Sequence, residues 1–223
     1  MNASGYGLAP FIAEFYDHVP RYATRADVDF YVKAAAESAG PVLEFGCGTG
    51  RILIPTARAG IEIAGLDAAA AMLAACRRRL EAELPEVQAR VGLHHGDMRR
   101  FEFQRRFRLV TIPFRPFQHL VTDEEPSFTL PDGRTVVRRH RMLERDLINQ
   151  VNTGELVYYV RHADGREERL VHALRMRCTF RFEAEHLLAR AGFTLEHVYS
   201  DFDRSPYGKE YPGELIFVAR RTD

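Results

Sequence analysis

"GPVLEFGCGTGRILIPTARAG", residues 40–60, reads in order as a strand, a glycine turn and a helix. Val42, Leu43 and Phe45 supply the apolar positions of a short buried strand. Gly46, Gly48 and Gly50 interrupt it, and Ile52, Leu53, Ile54 and Ala57 continue as an apolar helix face that stops near Gly60. Glycines at those places let the chain turn sharply. They also let a ligand approach the backbone closely, at the positive end of the following helix. Outward from this unit, "IEIAGLDAAAAMLAACRRRL" (61–80) repeats the pattern: a strand over 61–66, Asp67 at its C-terminal tip, then an alanine-rich helix. An acid at that tip can accept hydrogen bonds from both hydroxyls of a ribose. "VGLHHGDMRRFEF" (91–103) adds a third strand ending at Gly96, Asp97 and Met98, and "FRLVTIPF" (107–114) a fourth. Ligands of open parallel sheets bind at the C-terminal strand edges. Residues 46–50, Asp67, Asp97, Pro113 and Phe114 are therefore expected to converge on one crevice.

A dinucleotide fingerprint spaces its glycines G-x-G-x-x-G. This run is G-C-G-T-G, with the third glycine one position early and Glu44 two residues before the first. A pyrophosphate beside that carboxylate would be repelled, whereas a cationic amino-acid moiety would not. Both features argue against a nicotinamide-type oxidoreductase. The ordered set resembles the class I S-adenosylmethionine-dependent methyltransferases. "VLEFGCGTG" looks like their first motif, "GLD" their second-strand acid and "GDM" their adenine-contacting turn. "FYD…RADVDFYV" within 15–32 is similar to the N-terminus of their small-molecule group, and the resemblance covers residues from about 11 to 120.

The resemblance implies a role for each matching residue. Gly46, Cys47, Gly48 and Gly50 would pass close to the methionine part of S-adenosyl-L-methionine, with Glu44 near its amino group. Asp67 would bind the ribose hydroxyls, Ala68 and Met72 would flank the adenine, and Asp97 would bind its amino group with the Met98 backbone beside the ring. Tyr16 would lid the cofactor and Pro113 would border it, S-adenosyl-L-homocysteine being the product.

Composition limits the rest. With 223 residues and 46% hydrophobic, the chain suits one generous domain or a core with an elaboration. Lys plus Arg, 31, balances Asp plus Glu, 31, so no global field attracts nucleic acid or an anionic membrane. Lysine occurs only at 33 and 209, an arginine bias in keeping with a GC-rich bacterial genome. The arginine clusters at 99–108 and 134–145 are interleaved with acids and apolar residues, as on strand or helix surfaces. Cys47, Cys76 and Cys178 form no C-x-x-C and cannot all pair internally. No signal-peptide pattern and no apolar run of about 18 residues occurs, so a soluble cytoplasmic protein is expected. The histidines lack ligand spacing, and no metal is expected.

The fourth strand ends Ile112, Pro113, Phe114, Arg115. Methyltransferases acting on exocyclic base amines end it in Asn/Asp-Pro-Pro-aromatic, so base methylation is disfavoured. Phe114, Arg115, Phe117, Gln118 and His119 are expected to wall a small-molecule acceptor pocket, with His119 and Arg115 the catalytic candidates. An unperturbed imidazole titrates near ~6.5, suiting His119 to general-base work. The plainer reading has it cap or pack a short helix. The resemblance implies a helix, a Pro-Gly-Gly-type turn and a fifth strand next. Instead "SFTLPDGRTVV" forms a hairpin around Asp132 and Gly133. Roughly thirty residues of the standard core would then be missing, since a crossover alone needs at least ~10–12. The fourth strand would keep an unpaired edge, to be met by a later strand or by a second subunit in a homodimer.

Residues 127–180 read as an antiparallel meander, with segments 134–151, 154–162 and 167–180 separated by turns at 152–154 and 163–165. The last segment alternates Leu170, His172, Leu174, Met176, Cys178 and Phe180 against Arg175, Arg177 and Arg181. A half-buried sheet with a solvated arginine face accounts for this. The sharper reading is a lid with Arg175 or Arg177 reaching an acidic group on cofactor or substrate. "FEAEHLLARAGF" (182–193) reads as a late helix, followed by two closing antiparallel strands. The expected fold is α/β: a Rossmann-like parallel sheet flanked by helices (1–122 and 181–223) with an antiparallel cap at 123–180. The expected function is methyl transfer to N or O of a small molecule. The rival is a truncated, non-catalytic binding protein for S-adenosylmethionine.

Overall fold

The computed structural model describes residues 10–113, 127–208 and 213–222. They fall into two compact units, residues 1–176 and 177–223. In the first unit, α1 (Pro10–Phe15), a 3-10 turn (Tyr16–His18), α2 (Pro20–Ala23) and α3 (Asp27–Ser38) precede the first strand. Then come β1 (Val42–Phe45), α4 (Leu53–Arg58), β2 (Ile63–Asp67), α5 (Ala70–Glu81), α6 (Pro85–Gln88), β3 (Val91–His95) and β4 (Leu109–Thr111). The four strands form a parallel sheet in the order β3-β2-β1-β4, with Glu44 in register with Gly65 on one side and Thr111 on the other.

All four residues of β1 are buried, as a central parallel strand covered on both faces requires. Its alternate side chains part to opposite faces. Val42 joins Leu53, Ile54, Ala57, Leu73 and Cys76 under the helices. Leu43 and Phe45 join Ala64 and Leu66, packed against Phe103 and Phe107. The strand–turn–helix reading of 40–60 and the placement of Asp67 at the tip of β2 both hold. The fourth strand is shorter than expected, covering 109–111 within the 107–114 segment. Among the described residues β4 pairs only with β1, and the next strand, β5 (Phe128–Thr129), belongs to a different sheet.

That second sheet is antiparallel, in the order β5-β6-β7-β8, with β6 (Thr135–Asp146), β7 (Val151–Arg161) and β8 (Glu167–Arg177). The meander is as expected, but its first long turn is not. Residues 152–154 lie inside β7, paired with Arg145, Glu144 and Met142, and the chain reverses at 147–150 instead. Asp146 drives this turn by accepting from the Asn149 backbone N–H at 3.0 Å and its side-chain amide at 2.7 Å. Gln150 takes the left-handed conformation, φ 54°. Gly154 is needed for close packing rather than for turning, since a Cβ there would lie 3.0 Å from the Arg141 carbonyl oxygen. The inner face of the meander (Val136, Leu156, Tyr158, Val160) packs on Ile12, Phe15, Val19 and Tyr22 of the N-terminal segment, and on Ala69 and Met72. Arg175 is exposed on the outer face, as the plain reading of the alternation requires.

In the second unit, α7 (Arg181–Arg190) ends at Gly192, φ 79°, and β9 (Phe193–Tyr199) pairs antiparallel with β10 (Ile216–Arg221). The late helix and the two closing strands are those expected. Arg177 pairs with Glu183 at 3.1 Å.

Candidate functional site

The glycine turn between β1 and α4 is built from three left-handed residues, Gly46 (φ 67°), Gly48 (φ 55°) and Gly50 (φ 83°). Gly46 N–H donates to the Leu66 carbonyl at 2.8 Å and Gly50 N–H to that of Cys47 at 2.9 Å. The glycines divide their work. A Cβ on Gly50 would lie 2.7 Å from Cys76 Sγ, so this residue lets α5 pack against the turn. A Cβ on Gly48 would meet nothing nearer than the Gly46 carbonyl at 3.9 Å, and one on Gly46 nothing nearer than Met98 Cε, also at 3.9 Å. That side of the turn is open to a ligand, with Met98 beside it. Gly65 on β2 was not singled out from the sequence. It leaves room for Cys47, whose Sγ would lie 2.8 Å from a Cβ there. Cys47 itself is a packing residue, its thiol pushed far up by burial and by Glu44.

Asp67 pins the turn from the next strand. Its Oδ2 accepts from Gly48 N–H at 2.8 Å and its Oδ1 from Ala69 N–H at 2.7 Å. A carboxylate offers about four lone-pair sites, so acceptor capacity remains for hydroxyl donors. Glu44, at 2% exposure, has an Oε2 that no described group satisfies. Burial pushes its pKa well above the ordinary carboxylate range, Arg51 opposes the shift, and Asp27 and Asp67 add to it. A buried carboxylate oxygen without a partner is unusual in a native interior and points to a donor that arrives with a ligand.

Two residues missed by sequence reasoning, Arg51 and Asp27, complete this corner. Asp27, fully buried, accepts two hydrogen bonds from the Arg51 guanidinium, both at 2.6 Å, and Arg25 Nε lies 3.3 Å from it. The available signal was a lone charge directly after the last glycine of the turn, matched to an acid in the first turn of α3. Their partnership spans 24 residues, which no local pattern reveals.

The N-terminal segment lies against the turn. Thr49 Oγ1 donates to Asp17 Oδ1 at 2.8 Å, and Arg79 donates to Asp17 Oδ2 at 2.9 Å. Tyr16 packs its ring on Tyr22, centroids 4.7 Å apart. Burial pushes its phenol up, Tyr22 adds to this, and Arg51 opposes it. Met72 is 3% exposed within the cluster under the meander, and His95 Nε2 lies 3.0 Å from the Ala68 carbonyl oxygen. Asp97 lies just past the tip of β3. It accepts from Arg99 Nη2 at 2.5 Å and from Arg99 N–H at 2.8 Å, which hold its carboxyl down at about 2. Pro113 is buried, while Phe114, Arg115, Phe117, Gln118 and His119 lie outside the described residues.

Several surface arginines pair with acids: Arg105 with Glu62, Arg134 with Asp132 and Glu14, Arg141 with Glu155. Among the described residues no group of three His, Cys, Asp or Glu could hold a metal ion. No described helix is long and apolar enough to cross a membrane. The chemistry on offer is thus a buried carboxyl group beside an open glycine turn, with a hydroxyl-accepting acid one strand away.

Residues 42–139 match the family described as a methyltransferase domain. The dTDP-3-amino-3,6-dideoxy-alpha-D-glucopyranose N,N-dimethyltransferase of Streptomyces fradiae is 35% identical over 140 residues, which cover 56% of this chain and 52% of that one. The chain thus spans about half the length of that relative. The S-adenosylmethionine-bound amino pentose methyltransferase CalS10 of Micromonospora echinaspora superposes with a TM-score of 0.67 at 23% identity, over 93% of this chain and 97% of that one. An S-adenosylmethionine-dependent methyltransferase of Clostridium acetobutylicum superposes at 0.71 with 12% identity, over 96% and 98%. At these identities the two superpositions carry the fold.

Proposed function

We infer that this chain is a class I S-adenosylmethionine-dependent methyltransferase that transfers a methyl group to a nitrogen or oxygen of a small molecule, a reading supported by the domain match over 42–139 and by the fold. An amine acceptor is favoured, and the names of the sugar-modifying relatives support an amino sugar. The observation that carries the reading is the buried Glu44 carboxyl group, whose Oε2 has no partner among the described residues, beside the open side of the glycine turn.

The residues fit the cofactor. Glu44 would take its ammonium group, and Gly46, Cys47, Gly48 and Gly50 would line its methionine part. Asp67 would accept from the ribose hydroxyls with the capacity left after Gly48 and Ala69. Ala68, Met72, Asp97 and Met98 would border the adenine, and Tyr16 and Pro113 would close the crevice. When bound, S-adenosylmethionine supplies an electrophilic methyl group on a sulfonium. The protein's part is to align the acceptor, exclude water and relieve the acceptor of its proton. The cap of residues 123–180 would cover the acceptor. His119 would accept the proton at an imidazole nitrogen, Arg115 being the second catalytic candidate, and both lie outside the described residues. A cytoplasmic setting, where thiols stay reduced, suits the three free cysteines. A second copy of the chain would cover the edge of β4 that has no neighbouring strand among the described residues.

Calorimetric titration with S-adenosylhomocysteine tests the reading, with turnover measured against a panel of amino sugars, other amines and phenols. Binding is expected. Asp67→Ala should weaken it by roughly 1–3 kcal/mol, since ribose acceptors are lost and the Gly48 N–H loses its partner. Absence of binding by the intact protein sinks the proposal.

A further inference from the structure

Arg138 on β6 is a charged side chain at 3% exposure, on the same inner face of the meander as Val136. Burying a guanidinium costs desolvation that a methionine or leucine at the same place would not incur. What the guanidinium adds is direction. Nη1 donates to Tyr22 Oη at 2.8 Å, and the cation lies over the Tyr22 ring at 4.9 Å. Tyr22 in turn lies against Tyr16, the two rings tilted by 35° with centroids 4.7 Å apart.

Tyr16 directly precedes Asp17, which accepts from Thr49 in the glycine turn. Burial, then Tyr22 and Asp17, push the Tyr16 phenol up, and Arg51 and Arg25, gathered by Asp27, oppose the shift. Arg51 also acts on Glu44. The backbone next to Tyr16 is fixed to the glycine turn through Asp17, Thr49 and Arg79. The Tyr16 ring rests on that of Tyr22. Further ties bind the same segment to the cap: Glu14 pairs with Arg134, and Phe11 and Phe15 meet the Tyr158 ring at 5.4 and 5.6 Å. Residues 10–22 therefore form a strap between cap and cofactor turn, with one continuous path across it from Arg138 to Tyr22 to Tyr16.

We propose that Arg138, acting through Tyr22, is a positioning residue that aims Tyr16 into the cofactor crevice, so that a cap strand sets the affinity for the cofactor. This rests on the crevice being the cofactor site. It makes the cap part of cofactor binding as well as a cover for the acceptor. A buried arginine that only packed would stabilise the fold without regard to what Tyr16 does.

The test is a double-mutant cycle on the full chain, read by calorimetric titration with S-adenosylhomocysteine. Tyr22→Phe and Arg138→Met are each expected to weaken binding about three- to tenfold, the worth of one buried hydrogen bond. Arg138→Lys should recover part of that loss. In a Tyr16→Leu background the Arg138→Met step should change affinity by less than about twofold, because its route is already cut. Should Arg138→Met fail to fold, Tyr22→Phe, which removes a single oxygen, carries the same cycle. Equal losses with and without Tyr16, or an unchanged affinity in both Tyr22→Phe and Arg138→Met, overturn the positioning role while leaving the cofactor site intact. A wild-type protein that does not bind the probe overturns the functional reading and this one together.

Discussion

Glu44 is the residue at which stability and function pull apart. A carboxylate in the middle of a buried parallel strand, with one oxygen unsatisfied, burdens the fold. Its folded pKa lies well above the ordinary 4.5. The stability it contributes is therefore fully present below the unfolded value and is lost as pH rises through the folded one. Glu44→Gln removes the charge and keeps the shape. In the ligand-free protein at neutral pH this substitution should raise Tm by about 2–4 °C, the change that ~1 kcal/mol brings in a chain of this size. The gain should fade as pH falls below Glu44's folded pKa, because the wild-type side chain is then neutral too. The same substitution should weaken S-adenosylhomocysteine binding by about 10- to 100-fold, the worth of a charge-assisted hydrogen bond. Wild-type binding should tighten as pH rises through the pKa of Glu44. Differential scanning calorimetry and titration at several pH values read both effects, and a variant that loses stability and affinity together would contradict this account. Such opposed effects are expected where a functional group is kept at a thermodynamic cost.

At the scale of elements, legibility followed the range of the interaction. The strand–turn–helix of 40–60 could be read because glycine conformation, strand alternation and helix spacing are local, and Asp67 because it sits at a strand tip. Gly65 was overlooked, since its demand comes from Leu53 and Cys47, which follow the neighbouring strand β1. The Asp27–Arg51 fork was hidden for the same reason. The first long turn of the meander was misplaced on a false local signal, as Asn152, Thr153 and Gly154 look like a turn and are strand. The real one carries Leu147 and Ile148 at 81% and 94% exposure, apolar residues that read as strand. Side-chain hydrogen bonds of Asp146 and the left-handed Gln150 decide it. Gln150→Gly should accordingly stabilise the protein by about 0.5–1 kcal/mol, relieving a side chain from a backbone conformation that favours glycine. Urea denaturation reads this as a higher midpoint at unchanged slope. A lower midpoint would mean that the Gln150 side chain matters more to the turn than its backbone strain.

For the whole molecule, the open question of assembly turns on β4. Charge is balanced at 31 against 31, so no long-range field drives or prevents association, and short-range apolar contact decides it. Among the described residues β4 has a strand on one side only, and its neighbourhood leaves Val110 at 50% and Ile112 at 57% exposure. An unpaired edge with apolar side chains is a template for another chain unless it is blocked by charge, proline or a bulge. Pro113 follows the strand but does not interrupt it, and the nearest charges, Arg106 and Arg108, precede the strand instead of lying within it. A homodimer closed through this edge is therefore expected, with light scattering giving twice the 25.5 kDa chain mass. Ile112→Glu places a charge at the edge and should shift the protein to the single-chain mass. Its Tm should change little beyond the loss of association, because the side chain is more than half exposed. A wild-type protein that runs as a monomer at every concentration would mean that β4 is met within its own chain.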